Sequence, residues 1–171
     1  ISASRGSDSG AGAVAAAVSS AVESGVTVGI RSASSSRGIT STASTPPRVT
    51  IVIPVYNQAE LTEKCLYAVA ANTGGDPDYG VVDNGSTDWT MYLLHAMEGD
   101  MDVVSNDTNL GFAEACNQGA EAQTSDYILF LNNDTVPRER WLEAMVALAD
   151  SDPTVGIVGA KLLYPGTGKI Q

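Results

Sequence analysis

Hydrophobic residues after position 48 alternate between short continuous runs and longer stretches with helical spacing. The run VTIVIPV at residues 49–55 is almost entirely apolar and β-branched, which is typical of a parallel strand buried on both faces. Similar short runs predict strands at residues 79–83, 101–105, 127–131 and 155–163. The chain therefore contains regularly spaced strands, and the segments between them are long enough to be helices.

These intervening segments repeat apolar side chains every three or four residues, as one face of a helix does. We expect helices over residues 58–72, 89–97, 111–123 and 137–150. Asn57 is placed to cap the first helix, and Pro137 suits the first turn of the last one. Alternating strands and helices predict an α/β fold, with a mostly parallel sheet flanked by helices on both faces.

Residues 1–48 have a different composition, with 13 Ser, 9 Ala, 6 Gly and no aromatic residue. Such a segment buries too little apolar surface to offset its ordering entropy, so we expect a poorly ordered linker or tail. Residues 11–22 are compatible with a weak helix, and residues 26–30 with a short strand. The proline pair at 46–47 marks the boundary to a folded part at 49–171.

The charge of the chain argues against some classes of function. The protein carries nine basic and twenty acidic residues, and the folded part alone carries five and eighteen, a net charge of −13. Such a field repels phosphate backbones, so we do not expect nucleic-acid binding. Cys65 and Cys116 are too few for a disulfide framework. No apolar run reaches the roughly 20 residues that a transmembrane helix requires.

Polar side chains follow each of the first four strands of the folded part. In open parallel sheets, ligands bind beyond the carboxyl ends of the strands, so these side chains mark the candidate site. The residues that would meet there are Pro54, Tyr56, Asn57, Asp83, Asn84, Asn109, Gly111, Asn132, Asn133 and Asp134.

Several of these positions have two interpretations that the residues alone leave open. Asp134 follows a buried strand beside two carboxamides and suits Mg²⁺ or Mn²⁺, or it belongs to a helix N-cap network before Pro137. Asp83 could bind a nucleobase or ribose, or close an Asx-turn. Gly111 opens a helix whose free amides could meet a phosphate, or it allows close helix–strand packing. Tyr56 could stack on a base or fill the edge of the core.

With these residues assembled, the chain resembles family 2 glycosyltransferases of the GT-A fold. The matching stretches, in the family's order, are VTIVIPVYN, VVDNGSTD, NLGFAEACNQG, YILFLNNDT and KLLYP. The third and fourth stretches are most similar to the rhamnosyltransferase-like branch, which builds bacterial cell-wall and surface polysaccharides. The resemblance covers essentially all of residues 49–171.

The resemblance implies transfer of a sugar from a nucleoside diphosphate sugar, with dTDP- or UDP-linked donors favoured, and with inversion at the anomeric carbon. The acceptor would be a saccharide or a lipid-linked hydroxyl, which fits a cytoplasmic protein at the inner membrane face. Carried over by position, Asp134 would bind Mn²⁺ or Mg²⁺, and Gly111 would lie near the phosphates. The expected nucleotide-binding residues are Pro54, Tyr56, Asn57, Asp83, Asn132 and Asn133.

In this family the catalytic base, an Asp or Glu, lies in the later part of the domain. An inverting displacement needs that base within hydrogen-bond reach of the acceptor, so we expect it beyond Gln171 and expect no turnover by this chain alone. The first residue, Ile1, fits a piece of a longer protein. Two alternatives are a non-catalytic nucleotide-binding module and a nucleotidyltransferase. The latter needs a glycine-rich loop with a basic residue, which VYNQAE lacks.

Overall fold

A computed structural model describes residues 2–5 and 49–171, apart from residues 98, 100, 122 and 124. The strands are Ser2–Arg5 (β1), Val49–Val55 (β2), Asp78–Asp83 (β3), Asp102–Ser105 (β4), Tyr127–Phe130 (β5) and Val155–Gly159 (β6). The helices are Ala59–Asn72 (α1), Thr90–Ala96 (α2), Phe112–Glu121 (α3) and Trp141–Asp150 (α4). None of these described helices is long and apolar enough to cross a bilayer.

The central sheet contains four parallel strands in the order β4-β3-β2-β5. β2 pairs with β3 from Thr50 to Val55 and with β5 from Val49 to Val52. Every residue of β2 is buried. This arrangement confirms the α/β fold that the hydrophobic pattern predicts.

Side chains of β2 alternate between two separate cores, because successive residues of a strand point to opposite faces. Ile51 and Ile53 belong to the larger core, which draws buried residues from α1, α2 and α4. Val52 belongs to the smaller core, where Cys116 of α3 packs against the sheet. Among the described elements, α3 thus covers one face and the other helices cover the opposite face.

The last strand differs from the prediction. Residues 155–163 were expected to extend the parallel sheet, but β6 is shorter and pairs antiparallel with β1 in a separate two-stranded sheet. β1 was not predicted, because its sequence SASR has no hydrophobic run. The helix considered at 11–22 and the strand considered at 26–30 lie outside the described residues, as does most of the expected linker.

Helix α1 is capped from a distant loop and not by Asn57. Asn57 and Gln58 both have left-handed backbones, with φ of 56° and 59°, and α1 begins at Ala59. The Ala59 N–H donates to Asp88 Oδ2 at 3.1 Å, from the loop that follows β3. The predicted cap is therefore wrong, because the side chain that satisfies the helix comes from another part of the sequence.

Helix α4 begins later than predicted. Pro137 is buried ahead of the helix, and its carbonyl accepts a hydrogen bond from Asn72 Nδ2 of α1 at 3.1 Å. Arg140 then has a left-handed backbone with φ of 60°, so that α4 starts only at Trp141. The hydrogen bond to α1 thus keeps residues 137–140 out of α4, although Pro137 would fit the first turn of a helix.

Gly119, and not Gly111, provides the close approach of α3 to the sheet. A Cβ atom at Gly119 would lie 2.4 Å from Val52 Cγ1 and 3.1 Å from Val82 Cγ2, whereas one at Gly111 would meet nothing within 4 Å. Gly111 instead has φ of 92°, which glycine adopts without strain at the turn into α3. The alternative that assigned helix–strand packing to Gly111 is therefore wrong.

We predict that Gly119→Ala lowers the free energy of unfolding by about 1–3 kcal/mol, because the added methyl group overlaps Val52. Alanine otherwise stabilises a helix relative to glycine by roughly 1 kcal/mol, so a net loss of stability would be caused by the overlap. Gly80→Ala is the matched control: it is also buried against α3, but its Cβ would be 3.5 Å from the nearest atom, on Gln123. Urea unfolding measures both variants, and an unchanged Gly119→Ala would contradict the close approach.

The cap on α1 predicts a pH-dependent contribution to stability. Burial opposes ionisation of Asp88, but hydrogen bonds from Thr90 and Ala59 outweigh it and lower the pKa below the ordinary 3.8. A lowered pKa stabilises the fold fully above pH 3.8, and this contribution is lost as the pH falls through the lower folded value. We expect Asp88→Ala to cost about 1 kcal/mol at neutral pH, as losing a helix cap does.

The matched control is Asp107→Ala, which removes an exposed carboxylate that accepts no hydrogen bond from the described residues. Denaturation at neutral and at acid pH should show a gap between Asp88→Ala and the wild type that narrows below pH 3.8. A gap that stays constant over this range would mean that the ionised carboxylate is not the cap.

Candidate functional site

Hydrogen bonds tie together the loops that follow the carboxyl ends of the parallel strands. Asn57, after β2, accepts at Oδ1 from the N–H of Thr87 at 2.8 Å and of Asp88 at 3.3 Å. The Asn57 N–H donates to Ser86 Oγ at 2.8 Å. Asn57 therefore braces the loop after β3, and its amide oxygen is already engaged.

Asn84 joins the loop after β3 to the loop after β4. Its buried side chain donates to Asn109 Oδ1 at 2.9 Å and to the Gly111 carbonyl at 3.2 Å. It accepts from Asn106 Nδ2 at 3.1 Å and from the Leu110 N–H at 3.0 Å. All donor and acceptor positions of this amide are thus used, which fixes the loop that leads into α3.

A second amide pair fastens the same loop to α3. Asn106 Nδ2 donates to Gln118 Oε1 at 2.8 Å, and Gln118 Nε2 donates back to Asn106 Oδ1 at 3.1 Å. The reciprocal pair holds the loop after β4 against the helix that follows it.

The loop after β5 rests on the buried face of α1. Asn133 Nδ2 donates to Thr62 Oγ1 at 2.8 Å, and the Cys65 thiol donates to the Asn132 carbonyl at 3.5 Å. Thr135 Oγ1 closes the turn on the same carbonyl at 2.8 Å. Burial raises the pKa of Cys65 to about 11, so the thiol stays protonated and can donate at neutral pH.

A cleft of about 260 Å³ opens between these loops. Its walls are carboxamide, aromatic and aliphatic side chains, with no charged residue among the described ones that line it. The lining residues are Pro54, Val55, Tyr56, Gln58, Asn84, Asn109, Phe112, Asn132 and Asn133. Aromatic rings beside amides suit a polar ligand with a planar ring, because rings stack and amides both donate and accept.

A larger hollow of about 490 Å³ lies between the end of α1 and residues 136–139. It shares no residue with the cleft and contains none of the predicted site residues. Since ligands of parallel sheets bind beyond the carboxyl ends of the strands, we assign the candidate site to the cleft.

The structure brings together only part of the predicted set. The predicted residues that line the cleft are Pro54, Tyr56, Asn132 and Asn133, and those outside its lining are Asn57, Asp83, Gly111 and Asp134. Asp83 is buried, and its Oδ1 accepts from the Ser86 N–H at 3.0 Å, the local turn considered for it. The Gly111 N–H already donates to Asn109 Oδ1 at 2.8 Å. A phosphate at this end of α3 would therefore have to contact backbone N–H groups after Gly111.

The cleft also contains residues to which the sequence assigned no role. Asn84 and Asn109 were placed at this edge of the sheet because they follow strands, and that position was the available signal. Gln58 and Phe112 were treated only as parts of helices. Helical spacing cannot distinguish a ring that lines a cleft from one that lies in the core.

Asp134 is the candidate metal ligand. It is exposed on the turn after β5, and no described residue donates a hydrogen bond to its carboxylate. The N-cap alternative is wrong, because α4 begins at Trp141 and its cap position is Arg140. No group of three or more His, Cys, Asp or Glu side chains forms a metal cluster in the described part of the chain. One free carboxylate fits Mg²⁺ or Mn²⁺, which readily take further oxygens from water and phosphates.

Known proteins resemble this chain over most of its described part. The model for Glycosyl transferase family 2 matches residues 50–169. Glycosyltransferase AglE of Haloferax volcanii is 36% identical over 132 residues, which are 73% of this chain and 43% of the relative. A PGL/p-HBAD biosynthesis glycosyltransferase of Mycobacterium bovis is 34% identical over 91 residues, 52% of this chain and 36% of that protein. The chain thus spans less than half the length of these relatives.

Solved structures share the same architecture. The mannosyltransferase PcManGT from Pyrobaculum calidifontis, in complex with GDP-Man and Mn²⁺, has a TM-score of 0.61 at 22% identity, covering 91% of this chain and 48% of that one. S. aureus TarS 1–349 in complex with UDP-GlcNAc has a TM-score of 0.56 at 21% identity, over 61% of this chain and 31% of that one. The match over residues 50–169, on a sheet and helices of the GT-A type, shows that this chain belongs to glycosyl transferase family 2.

Proposed function

We propose that the cleft binds the nucleotide of a nucleoside diphosphate sugar, and that the protein transfers the sugar to an acceptor hydroxyl with inversion. The observation that carries this proposal is the meeting of aromatic and amide side chains at the carboxyl ends of the strands, with Asp134 on the adjoining turn. Two proteins of the same fold are described with GDP-Man and with UDP-GlcNAc. The rhamnosyltransferase-like motifs favour dTDP- or UDP-linked donors for this chain.

The base would lie against Tyr56, which is 47% exposed, and beside Phe112, the first residue of α3. Asn132 would contact the ribose, because it lines the cleft at the start of the turn that carries Asp134. The role of Asp83 in binding the base stays a prediction. Its buried carboxylate already fixes the turn after β3.

Asp134 would hold Mn²⁺ or Mg²⁺ together with the diphosphate. When bound, such an ion neutralises the negative charge that develops on the leaving nucleotide. Residues 49–171 carry five basic and eighteen acidic groups, a net charge of −13, so an anionic donor would otherwise be repelled. The contribution of the chain is to hold one carboxylate on a turn that is braced against α1.

Inversion requires a base within hydrogen-bond reach of the acceptor hydroxyl. No described residue that lines the cleft is a carboxylate, and we propose that the base comes from elsewhere in the protein. The same lining would suit a non-catalytic nucleotide-binding module, and a transfer assay on a longer protein separates the two. The acceptor would be a saccharide or a lipid-linked hydroxyl in cell-wall or surface polysaccharide synthesis, at the cytoplasmic face of the membrane.

Metal-dependent nucleotide binding should depend on Asp134. Calorimetric titration of dTDP, UDP and GDP with Mn²⁺ and then with EDTA should show one preferred nucleotide. Asp134→Ala should weaken its binding in Mn²⁺ by about tenfold or more, because a carboxylate ligand is lost. Asp126→Ala is the matched control, since Asp126 is also exposed but lies just before β5, at the opposite end of the strand.

Two results would contradict this assignment. Binding that neither EDTA nor Asp134→Ala changes would remove Asp134 from its proposed role. A folded chain that binds none of the three nucleotides would refute the proposal that the cleft is a nucleotide site.

Replacing Tyr56 tests whether the base occupies the cleft. Tyr56→Ala should weaken nucleotide binding by about 1–3 kcal/mol, the usual value for losing one aromatic stacking partner. The loss should be the same in Mn²⁺ and in EDTA, and pyrophosphate binding should not change, because stacking involves only the base. Tyr92→Ala removes the ring of a residue on α2 that is 79% exposed and lies outside the cleft, and it should have no effect. Equal nucleotide affinity of Tyr56→Ala and the wild type would place the base elsewhere.

A further inference from the structure

We propose that Thr62 is a positioning residue for the metal-binding turn. Its hydroxyl holds Asn133, and thereby fixes where the neighbouring Asp134 carboxylate lies. The inference rests on the proposed function and adds to it a residue that does not line the cleft.

Thr62 is completely buried in α1, where a hydroxyl is costly unless it is hydrogen-bonded. It accepts a hydrogen bond from Asn133 Nδ2 at 2.8 Å and donates one to the Gln58 carbonyl at 3.4 Å. A continuous chain of hydrogen bonds therefore runs from Asn133 through Thr62 to Gln58. Asn133 and Gln58 both line the cleft, so this chain links residues from two of its loops.

The fold alone does not require a hydroxyl at position 62. Cys65, Leu66 and Val69 continue the same buried face of α1, and they pack in the larger core. Threonine is also a weaker helix former than the straight-chain apolar residues. The bond to Gln58 is the local one that threonine often makes within a helix. The bond from Asn133 is the long-range contact that only a polar side chain at this position can provide.

The geometry of the turn transmits this contact to Asp134. The Asn132 carbonyl accepts from the Thr135 N–H at 3.3 Å and from Thr135 Oγ1 at 2.8 Å, which closes the turn around the two residues between them. The turn touches α1 through Thr62 and, one helical turn further, through Cys65. No described residue bonds to the Asp134 carboxylate, so the anchored backbone of the turn determines its position.

The test is Thr62→Val, which keeps the shape of the side chain and removes the hydroxyl. The 171-residue chain is titrated with the nucleotide that the wild type prefers, in Mn²⁺ and in EDTA. We expect the affinity in Mn²⁺ to fall about ten- to hundredfold, as when a residue that orients a metal ligand is lost, and the affinity in EDTA to stay unchanged. Thr62→Ser keeps the hydroxyl and should retain the Mn²⁺ enhancement.

Thr50→Val is the matched control for lost stability. Thr50 is also completely buried, and its hydroxyl bonds to the side chains of Ser125 and Gln123, near the start of β2. Thr50→Val should lower the urea midpoint of unfolding without changing the ratio of the nucleotide affinities in Mn²⁺ and in EDTA. A role of Thr62 in stability alone would give the same result as this control.

A second measurement needs neither metal nor nucleotide. Thr62→Val and Asn133→Ala are combined in a double-mutant cycle and followed by urea unfolding. The double variant should be as stable as the less stable of the two single variants, because both substitutions remove the same bond. Asn133→Ala removes the same bond at a half-buried position of the turn, outside the core, and it should lose the Mn²⁺ enhancement even if Thr62→Val folds poorly.

The outcomes separate this inference from the proposed function. A full Mn²⁺ enhancement in folded Thr62→Val, or additive effects in the cycle, would overturn the positioning role alone. A wild-type chain that binds no nucleotide would overturn the proposed function and the inference with it. Loss of the enhancement in Thr62→Val, with recovery in Thr62→Ser, would establish the role.

Discussion

Burial of β2 on both faces determines where the rest of the molecule can place polar groups. Every residue of this strand is covered, and its side chains supply both cores. Parallel neighbours require a crossover after each strand, so the chain leaves the sheet repeatedly at the same end. The left-handed residues Asn57 and Gln58 turn the chain sharply into α1 at this end. Burial of β2 between parallel neighbours is therefore sufficient to bring these loops together at one edge of the sheet, independently of any ligand.

Carboxamide side chains connect these loops. The Asn84 side chain makes four hydrogen bonds, and Asn106 and Gln118 form a reciprocal pair. An amide both donates and accepts, so it can join two backbones without adding charge. This matters in a domain that is already strongly acidic, because extra carboxylates would repel an anionic donor. Asp134 is then a free carboxylate beside a neutral cleft.

The hydrophobic pattern predicted the strands and helices well, since burial on a sheet is periodic in sequence; β2 has the predicted bounds. It failed where a distant partner decides the outcome. Asn57 precedes α1 as a cap would, yet Asp88 performs that function from another loop. The antiparallel pair of β1 and β6 joins opposite ends of the chain, which periodicity cannot detect. At the site, strand ends identified Asn132 and Asn133, whereas Thr62 has a role only through a contact across the fold.

The two buried cysteines lie in different cores, Cys65 against the turn after β5 and Cys116 between α3 and the sheet. Burial raises the pKa of Cys116 to about 12, so a thiol-alkylating reagent reacts only when α3 separates from the sheet. Alkylation of Cys65 likewise requires α1 and the turn to part. The alkylation rates of Cys65 and Cys116 would therefore report separately how often each face of the sheet opens. A ligand in the cleft that holds Asn132 in place would slow the alkylation of Cys65, because the Cys65 thiol contacts the Asn132 carbonyl.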